Sequence, residues 1–495
     1  MKYVVTAEEM RYCDQNTTEF LKIPAMVLME RAALSVLKHI EEKFQGRNRK
    51  ELKTLILCGV GNNGGDGLAL ARLMADKGYT VEVCICGEKI RSSAGWKNQY
   101  DILQHYNIKI GATLPLGEYN ILIDALFGVG LSREITGAFE HAIAWFNKQS
   151  GYKLSIDMPS GIHSDTGEVL LHAVQADTTI TFGFLKRGLV LAPGCMYAGE
   201  VICEDIGIRE KSFLGKKPGM FTYDEEMQEL LPGRDLRGNK GSFGKVLMIV
   251  GNENMAGAAA LCAKACYRTG AGMVRVLTHP VNIPVIHSVL PEALAGSWEF
   301  WRTYVKWADV LVFGPGCGTD SYLADILKGL LEECEQPLVI DADGLNILAA
   351  NPELMKSLKE QTSGGRDIVL TPHMGELSRM TDTDVDVIKK LMPIFVKHYA
   401  TELSATLVSK DAITFTCAKG EPICVNYRQN SGLSTAGSGD VLTGIISALL
   451  AQGMDAFEAG AKGVAVHSLA GERAAARYGN HACMAGDIIE ALKKI

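Results

Sequence analysis

Three aspartates in this chain of 495 residues stand where a carboxylate could move a proton: Asp124 in ILIDALFGVG, Asp157 in LSIDMPSG and Asp440 in TAGSGDVL. Asp124 and Asp157 each end a β-branched run and precede a loop of small residues, so each should lie at the carboxyl end of a strand. A carboxylate there can take a proton from a hydroxyl or a water and return it to a leaving group. For one such Asp, capping of the turn is the plainer reading. A third strand end changes the balance. TLILC runs into GVGNNGGDG, residues 59–67, ahead of a helix expected over Gly67–Lys77. Gly59, Gly61 and Gly64 satisfy the loose dinucleotide pattern, which a tight turn also satisfies. Asn62, Asn63 and Gly65-Asp66 add side-chain amides and a carboxylate that no turn requires. Ligands of an open parallel sheet bind beyond the carboxyl ends of its strands, so the three loops should converge.

Asp440 belongs to a different constellation. In NSGLSTAGSGDVLTGIISALLAQG, residues 430–453, Val441, Leu442, Ile445, Ile446, Leu449 and Leu450 recur at helical spacing. Thr435, Ser438 and the amides around Gly437 and Gly439 would stand at that helix's N-terminus, where an anion is stabilised. A carboxylate beside an anion hole is repelled by phosphate, unless it acts as the base on an attacking hydroxyl. The alternative is an Asp that caps the first turn.

The elements that must position these groups alternate. Residues 1–40 read as helical: Thr6 and Glu9 form a capping box, and Pro24, Met26, Met29, Ala33 and Leu37 keep helical spacing. Strands are expected at Thr54–Cys58, Thr80–Cys86, Ile121–Asp124, Lys153–Asp157 and Thr178–Phe182, with helices between them. That pattern gives βαβ units and a parallel sheet covered on both faces. Gly207–Gly219, basic and rich in Gly, reads as a linker. A second series follows at Lys245–Gly251, Val310–Gly314, Pro337–Asp341, Asp367–Thr371 and Ala405–Ser409. Two unrelated α/β domains, 1–215 and 220–495, are therefore expected.

Composition narrows the setting. Hydrophobic residues at 47% and charged residues at 22% are those of a soluble globular chain. A net charge of −7 leaves no basic excess for nucleic acid, though small anions remain within reach of backbone amides. MKYVVTAEEM is no signal peptide, and no apolar run reaches the ~18 residues of a membrane span. The thirteen cysteines are scattered; Cys84 with Cys86, and Cys262 with Cys266, are read as core rather than zinc ligands, since no second pair has zinc spacing. A reduced cytoplasm fits.

GNNGGDG, DALFGVG and IDMPSG, in this order over most of residues 1–215, resemble the NAD(P)H-hydrate epimerase family. The resemblance implies a Rossmann-like fold, a hydrated nicotinamide nucleotide as substrate and a bound potassium ion. Asn62, Asn63, Gly64, Gly65 and Asp66 would hold the substrate, as would Gly128, Val129, Gly130, Leu131, Ser132, Arg133 and Glu134. Asn63, Asp124 and Ser160 would give oxygen ligands to potassium, a hard cation. Asp157 would contact the substrate and serve as acid–base group, with Asp124 as its candidate partner.

The segment around Asp440 resembles the ribokinase-like fold. KGSFGKVLMIVG (240–251), GPGCG (314–318), DADGLNIL (341–348) and TPHMGELSRM (371–380) narrow the likeness to the ADP- or ATP-dependent NAD(P)H-hydrate dehydratases. By that resemblance Ala258, Gly316, His373 and Asp440 face the hydrate. Lys410, Asp411, Asn430, Thr435, Ala436, Gly437, Ser438 and Gly439 face the nucleotide, whose phosphates magnesium bridges. A lone His373 would read as a core or turn histidine; its place in the TPHMGE loop favours the ligand role. The chain departs from the family's pattern at Leu433, Ser434, Ala436, Asp411 and Met374. Ala436 would be strained if its position needs a positive φ, and Asp411 brings negative charge toward the phosphates.

The expectation is a cytoplasmic, homo-oligomeric enzyme with small-molecule partners only, hydrated NADH or NADPH and ADP or ATP. One domain interconverts the two hydrate epimers, and the other dehydrates the S form. A ribokinase-like small-molecule kinase fused to a nicotinamide-nucleotide-binding domain is the rival enzyme, and a nucleotide-sensing protein the rival without catalysis. Three intact aspartates argue against the sensor.

Overall fold

The computed structural model describes residues 1–224 and 227–494. It divides into two compact units, Lys2–Met220 and Phe221–Ile495.

In the first unit seven strands form a wholly parallel sheet: β1 (Lys53–Cys58), β2 (Thr80–Ile85), β3 (Lys109–Gly111), β4 (Ile121–Ala125), β5 (Tyr152–Ile156), β6 (Thr178–Phe182) and β7 (Glu200–Glu204). Their order is β3-β2-β1-β4-β5-β6-β7. The chain winds outward from β1 one way and then crosses to β4, so the topological switch lies between β1 and β4. Helices α1 (Ala25–Lys43), α2 (Asn62–Asp76) and α3 (Ala138–Lys148) cover the sheet. Leu55, Leu57, Cys84 and Leu122 share a buried cluster with Ile143 and Phe146 of α3. Apolar side chains are needed on both faces of such a strand, which is why β1 is buried from Thr54 to Cys58.

Two expectations need correction here. Residues 1–40 are not one helical stretch: Lys2–Val5 is a strand paired with Leu185–Lys186, and a helix over Ala7–Gln15 ends well before Pro24 opens α1. The Thr6–Glu9 capping box is present. The helix after β1 begins at Asn62, not Gly67. A Cβ on Gly64 would lie 1.9 Å from the Gly59 carbonyl oxygen, so only glycine lets this first turn close.

In the second unit, β8 (Lys245–Ile249), β9 (Met273–Thr278), β10 (Leu294–Ser297), β11 (Val310–Phe313), β12 (Leu338–Ile340), β13 (Ile368–Leu370) and β14 (Thr406–Ser409) are parallel. Two antiparallel strands, β15 (Thr414–Cys417) and β16 (Ile423–Asn426), extend the sheet beyond β14. The order β10-β9-β8-β11-β12-β13-β14 again reverses beside the first strand, between β8 and β11. Helices α4 (Ala256–Arg268), α5 (Met374–Thr381), α6 (Ser438–Ala451) and α7 (Ala456–Tyr478) follow in the sequence. Val246, Met248, Val274, Val276, Val310 and Val312, alternate residues on their strands, pack with α4, α6 and α7 in one core. Cys262 and Cys266 lie in that core, and all thirteen cysteines are free thiols. Among the described residues no helix is long and apolar enough to cross a membrane.

Candidate active sites

In the first unit the loops after β1, β4 and β5 meet at the switch. Asp124, at the end of β4, is wholly buried. It accepts hydrogen bonds from Ser160 Oγ at 2.6 Å and Leu126 N at 3.2 Å on Oδ1, and from Ser160 N at 2.8 Å and Ser155 Oγ at 2.9 Å on Oδ2. A carboxylate offers about four acceptor positions, so all are taken. Burial raises its carboxyl above the ordinary range, and these hydrogen bonds pull the other way. Asp124 therefore fastens the loops after β4 and β5 to each other. Asn63, also buried, has neither its side-chain oxygen nor its nitrogen hydrogen-bonded.

Asp157 lies one residue beyond β5, in a left-handed conformation at φ 68°. A non-glycine held there is held by its surroundings, and such strain gathers at functional sites. Its Oδ1 receives Lys186 Nζ at 2.7 Å and Thr181 Oγ1 at 3.2 Å. Its Oδ2 points at the β4 loop: a Cβ on Gly128 would fall 2.8 Å from it and 3.5 Å from Asn63 Cγ. Asp66, Asp14 and Lys186 surround it. Burial, then the charges of Asp157 and Asp14, push the Asp66 carboxyl well up, and Asp14 rises to about 6, chiefly by burial.

In the second unit the site is built at the ends of β11 to β14 and the start of α6. Asp341, just past β12, accepts from Lys410 Nζ at 2.8 Å and Thr443 Oγ1 at 2.6 Å. Burial would raise its carboxyl, but the Lys410 charge and these hydrogen bonds outweigh it and hold it below the usual range. Lys410 N donates to Pro372 O at 2.8 Å, which ties the end of β14 to the His373 loop. A Cβ on Gly439 would lie 3.4 Å from Lys410 Nζ, so the ammonium reaches the N-terminus of α6. Asp440 stands in that first turn. Burial, then the Asp341 charge, raise its carboxyl to about 7 against the pull of Lys410. A base with that value matches its task near neutral pH. Glu376 also rises to about 7, mainly through burial. His467, buried and hydrogen-bonded to Ser438 Oγ at 3.2 Å, is held down to about 4 by burial and by Lys410, hence neutral.

The anticipated residues are placed unevenly. Asn62 through Asp66 occupy the opening turns of α2, Gly128 lies beside Asn63, and Val129 packs against the cluster of Met158 and Ile162. Gly130, Ser132, Arg133 and Glu134 are exposed. The Leu131 side chain is buried with Ile135 and Phe146, so its backbone is the part open to a ligand. Ala258 and Gly316 touch, since a Cβ on Gly316 would meet the Ala258 Cβ at 3.0 Å. His373 caps α5, its Nδ1 accepting from Gly375 N at 3.0 Å, and its outer edge stays half exposed. Gly437, at φ 86°, takes the left-handed position, so Ala436 is unstrained. Asp411 forms an ion pair with Lys389 at 3.5 Å, which offsets its charge. Asn430 Oδ1 accepts from Gly432 N, its Nδ2 is buried without a partner, and Thr435 is partly buried. Sequence reasoning passed over Asp14, Lys186, Asp341, Glu376 and His467. The legible hint was a charged residue inside an apolar run, as in FGFLKRG and GVAVHSLAG.

Two doubly wound units, each with a carboxylate held at the carboxyl end of its sheet, define a two-site α/β enzyme. Residues 246–494 match the NAD(P)H-hydrate dehydratase family, and residues 25–188 match the family described as YjeF-related protein N-terminus. A bifunctional NAD(P)H-hydrate repair enzyme of Moorella thermoacetica is 35% identical, covering 99% of this chain and 96% of the relative. The enzyme of that name from Coxiella burnetii is 34% identical over 88% and 89%. The chain belongs to the family of bifunctional NAD(P)H-hydrate repair enzymes. The solved ADP/ATP-dependent NAD(P)H-hydrate dehydratase of Bacillus subtilis, co-crystallised with ATP and magnesium, aligns at 26% identity and a TM-score of 0.48, over 54% of this chain and 95% of that one.

Proposed function

We propose that residues 1–215 interconvert the R and S hydrates of NADH and NADPH, and that residues 220–495 dehydrate the S hydrate at the expense of ADP or ATP. The observation that carries the reading is shared by both units: Asp157 and Asp440 are the carboxylates with an oxygen turned toward the loops or helix start where a ligand would lie.

In the first site the hydrate's hydroxyl is bonded to a carbon beside a ring nitrogen. That C–O bond breaks as the nitrogen's electron pair forms a C=N bond. Asp66, whose carboxyl burial pushes well up, can give the leaving hydroxyl its proton. Water then adds to the other face while Asp157 Oδ2 takes its proton, and exchange with solvent resets the two acids. Asn63 suits an oxygen-bound cation such as potassium, because its buried amide has no partner in the chain. Ser160 Oγ donates to Asp124 and accepts from Phe127 N at 2.9 Å, so one lone pair remains for the ion. Asp124, with its acceptor positions filled, would contribute charge. Potassium would order the substrate's oxygens.

In the second site a phosphoryl group passes from the nucleotide to the hydroxyl, whose proton goes to Asp440. Lys410 and the amides opening α6 hold the transferring group. The C–O bond then breaks with its electron pair leaving on phosphate, the adjacent carbon gives its proton to that phosphate, and the electron pair of the C–H bond restores the ring double bond. The nucleotide's phosphates would carry magnesium, which would offset their charge beside Lys410 and the amides opening α6.

The test supplies the intact chain with each hydrate epimer, with and without ADP or ATP. Without nucleotide, the epimers should equilibrate and no reduced ring should appear; with it, both should return to NADH. A stable phosphoester would make the second unit a kinase, and epimers that never interconvert would remove the first assignment.

A further inference from the structure

We infer that Lys186 is the positioning residue of the first site: it holds one oxygen of Asp157 so that the other alone meets the substrate. The inference rests on the epimerase reading of that site. Lys186 is 1% exposed. Its ammonium donates to Asp157 Oδ1 at 2.7 Å, to Thr181 Oγ1 at 2.8 Å and to Phe182 O at 2.8 Å. An ammonium has three donors, so it is saturated. Thr181 Oγ1 passes its own proton to the same Asp157 Oδ1 at 3.2 Å. Among the described residues no donor reaches Asp157 Oδ2, the oxygen beside Gly128.

The backbone fixes this grip from both ends. Leu185–Lys186 pairs in parallel with Val4 and Val5, and Asp157 N donates to Ile180 O at 2.7 Å. Asp14 faces the pair from the helix Ala7–Gln15, Asp66 from α2 and Cys203 from β7. None of the three takes a hydrogen bond from Lys186; the ammonium is given to Asp157. A buried lysine demands compensation, and here the compensating carboxylate is the one around which the substrate loops close. Its rotation is blocked, and Oδ2 is left as the single open proton acceptor.

The test is Lys186→Met in the full chain, with S-hydrate dehydration by the same preparation as the folding control. Epimerisation kcat should fall on the order of a hundredfold, as for a mispositioned base, with KM within about twofold. Lys186→Arg should recover part of the loss, because a guanidinium can still donate to Oδ1. In an Asp157→Asn background, Lys186→Met should add less than about threefold, since the lysine acts through that carboxylate. Thr181→Val, a smaller change, should lower kcat several-fold at constant KM, and it serves if Lys186→Met does not fold. An unchanged kcat in the folded variants, or a raised KM with kcat intact, overturns the inference and leaves the site standing. Wild-type epimerisation by Asp157→Asn overturns the site assignment itself.

Discussion

The two units place the same three pieces, a carboxylate proposed to react, a second buried carboxylate and a lysine, in opposite arrangements. In the first, Lys186 bonds the reactive Asp157 directly, and the structural Asp124 is satisfied by serines and backbone amides. In the second, Lys410 bonds the structural Asp341, and the reactive Asp440 has only the residual pull of that lysine against burial. The lysine's choice of partner sets how each acid is held. A base bonded to a cation is fixed in place. A base left beside an ion pair holds its proton until near neutrality, when a substrate hydroxyl can exchange with it. Fold alone would not distinguish them, since both units are doubly wound sheets with a site at the carboxyl ends of their strands.

Removing the reactive group should break the second site most completely. Asp440→Asn keeps size and first-turn capping, so folding should change little, but dehydration of the S hydrate should fall on the order of a hundred- to ten-thousand-fold. Epimerisation by the same protein should match wild type. Asp157→Asn should produce the mirror image, slowing epimerisation by a comparable order while S hydrate is dehydrated normally. A rate assay on each pure epimer reads both.

Protonation sharpens the contrast. Dehydration should climb as pH rises through about 7, where Asp440 gives up its proton. The folded chain keeps that proton to about 7, whereas an unfolded Asp releases it near 3.8. Stability linked to this group is thus present at acid pH and lost as pH rises across the interval. Asp440→Asn removes the penalty, so it should melt roughly a few degrees above wild type at about pH 8 and show no advantage at about pH 4. Scanning calorimetry at the two pH values checks the sign. The smallest effect belongs to the cation. Replacing potassium by a bulky organic cation should slow epimerisation and weaken hydrate binding while dehydration of S hydrate holds steady; an epimerase indifferent to the exchange would discard the Asn63 and Ser160 ion site.

The central strands were legible because parallel strands buried on both faces read as apolar runs: β1, β4 and β6 fall within a residue of their expected limits. Edge strands β3 and β7 carry Lys109, Glu200 and Glu204 toward solvent and gave no such signal. Five glycines and two asparagines made residues 59–67 look like loop, yet α2 starts inside them. Low helix propensity was overridden by packing that only glycine permits, Gly64 against the Gly59 carbonyl and Gly67 against Ala125 and Cys58. Of the proposed sites, Asp157 and Asp440 stand in motifs that the sequence displays. Lys186 and Asp341 could not be given roles, because a lysine and an aspartate far apart in sequence become partners only when the sheet brings strand ends together.

Mixing the two single-site variants tests most directly whether one chain carries two chemically independent carboxylate sites. R hydrate, with ADP or ATP, is given to Asp157→Asn alone, to Asp440→Asn alone and to an equal mixture, and recovery of the reduced nicotinamide is followed. The mixture should regenerate NADH at a rate approaching wild type, because one variant still epimerises and the other still dehydrates, while each alone lags far behind. A mixture no faster than its better component, with both proteins folded, would contradict the claim.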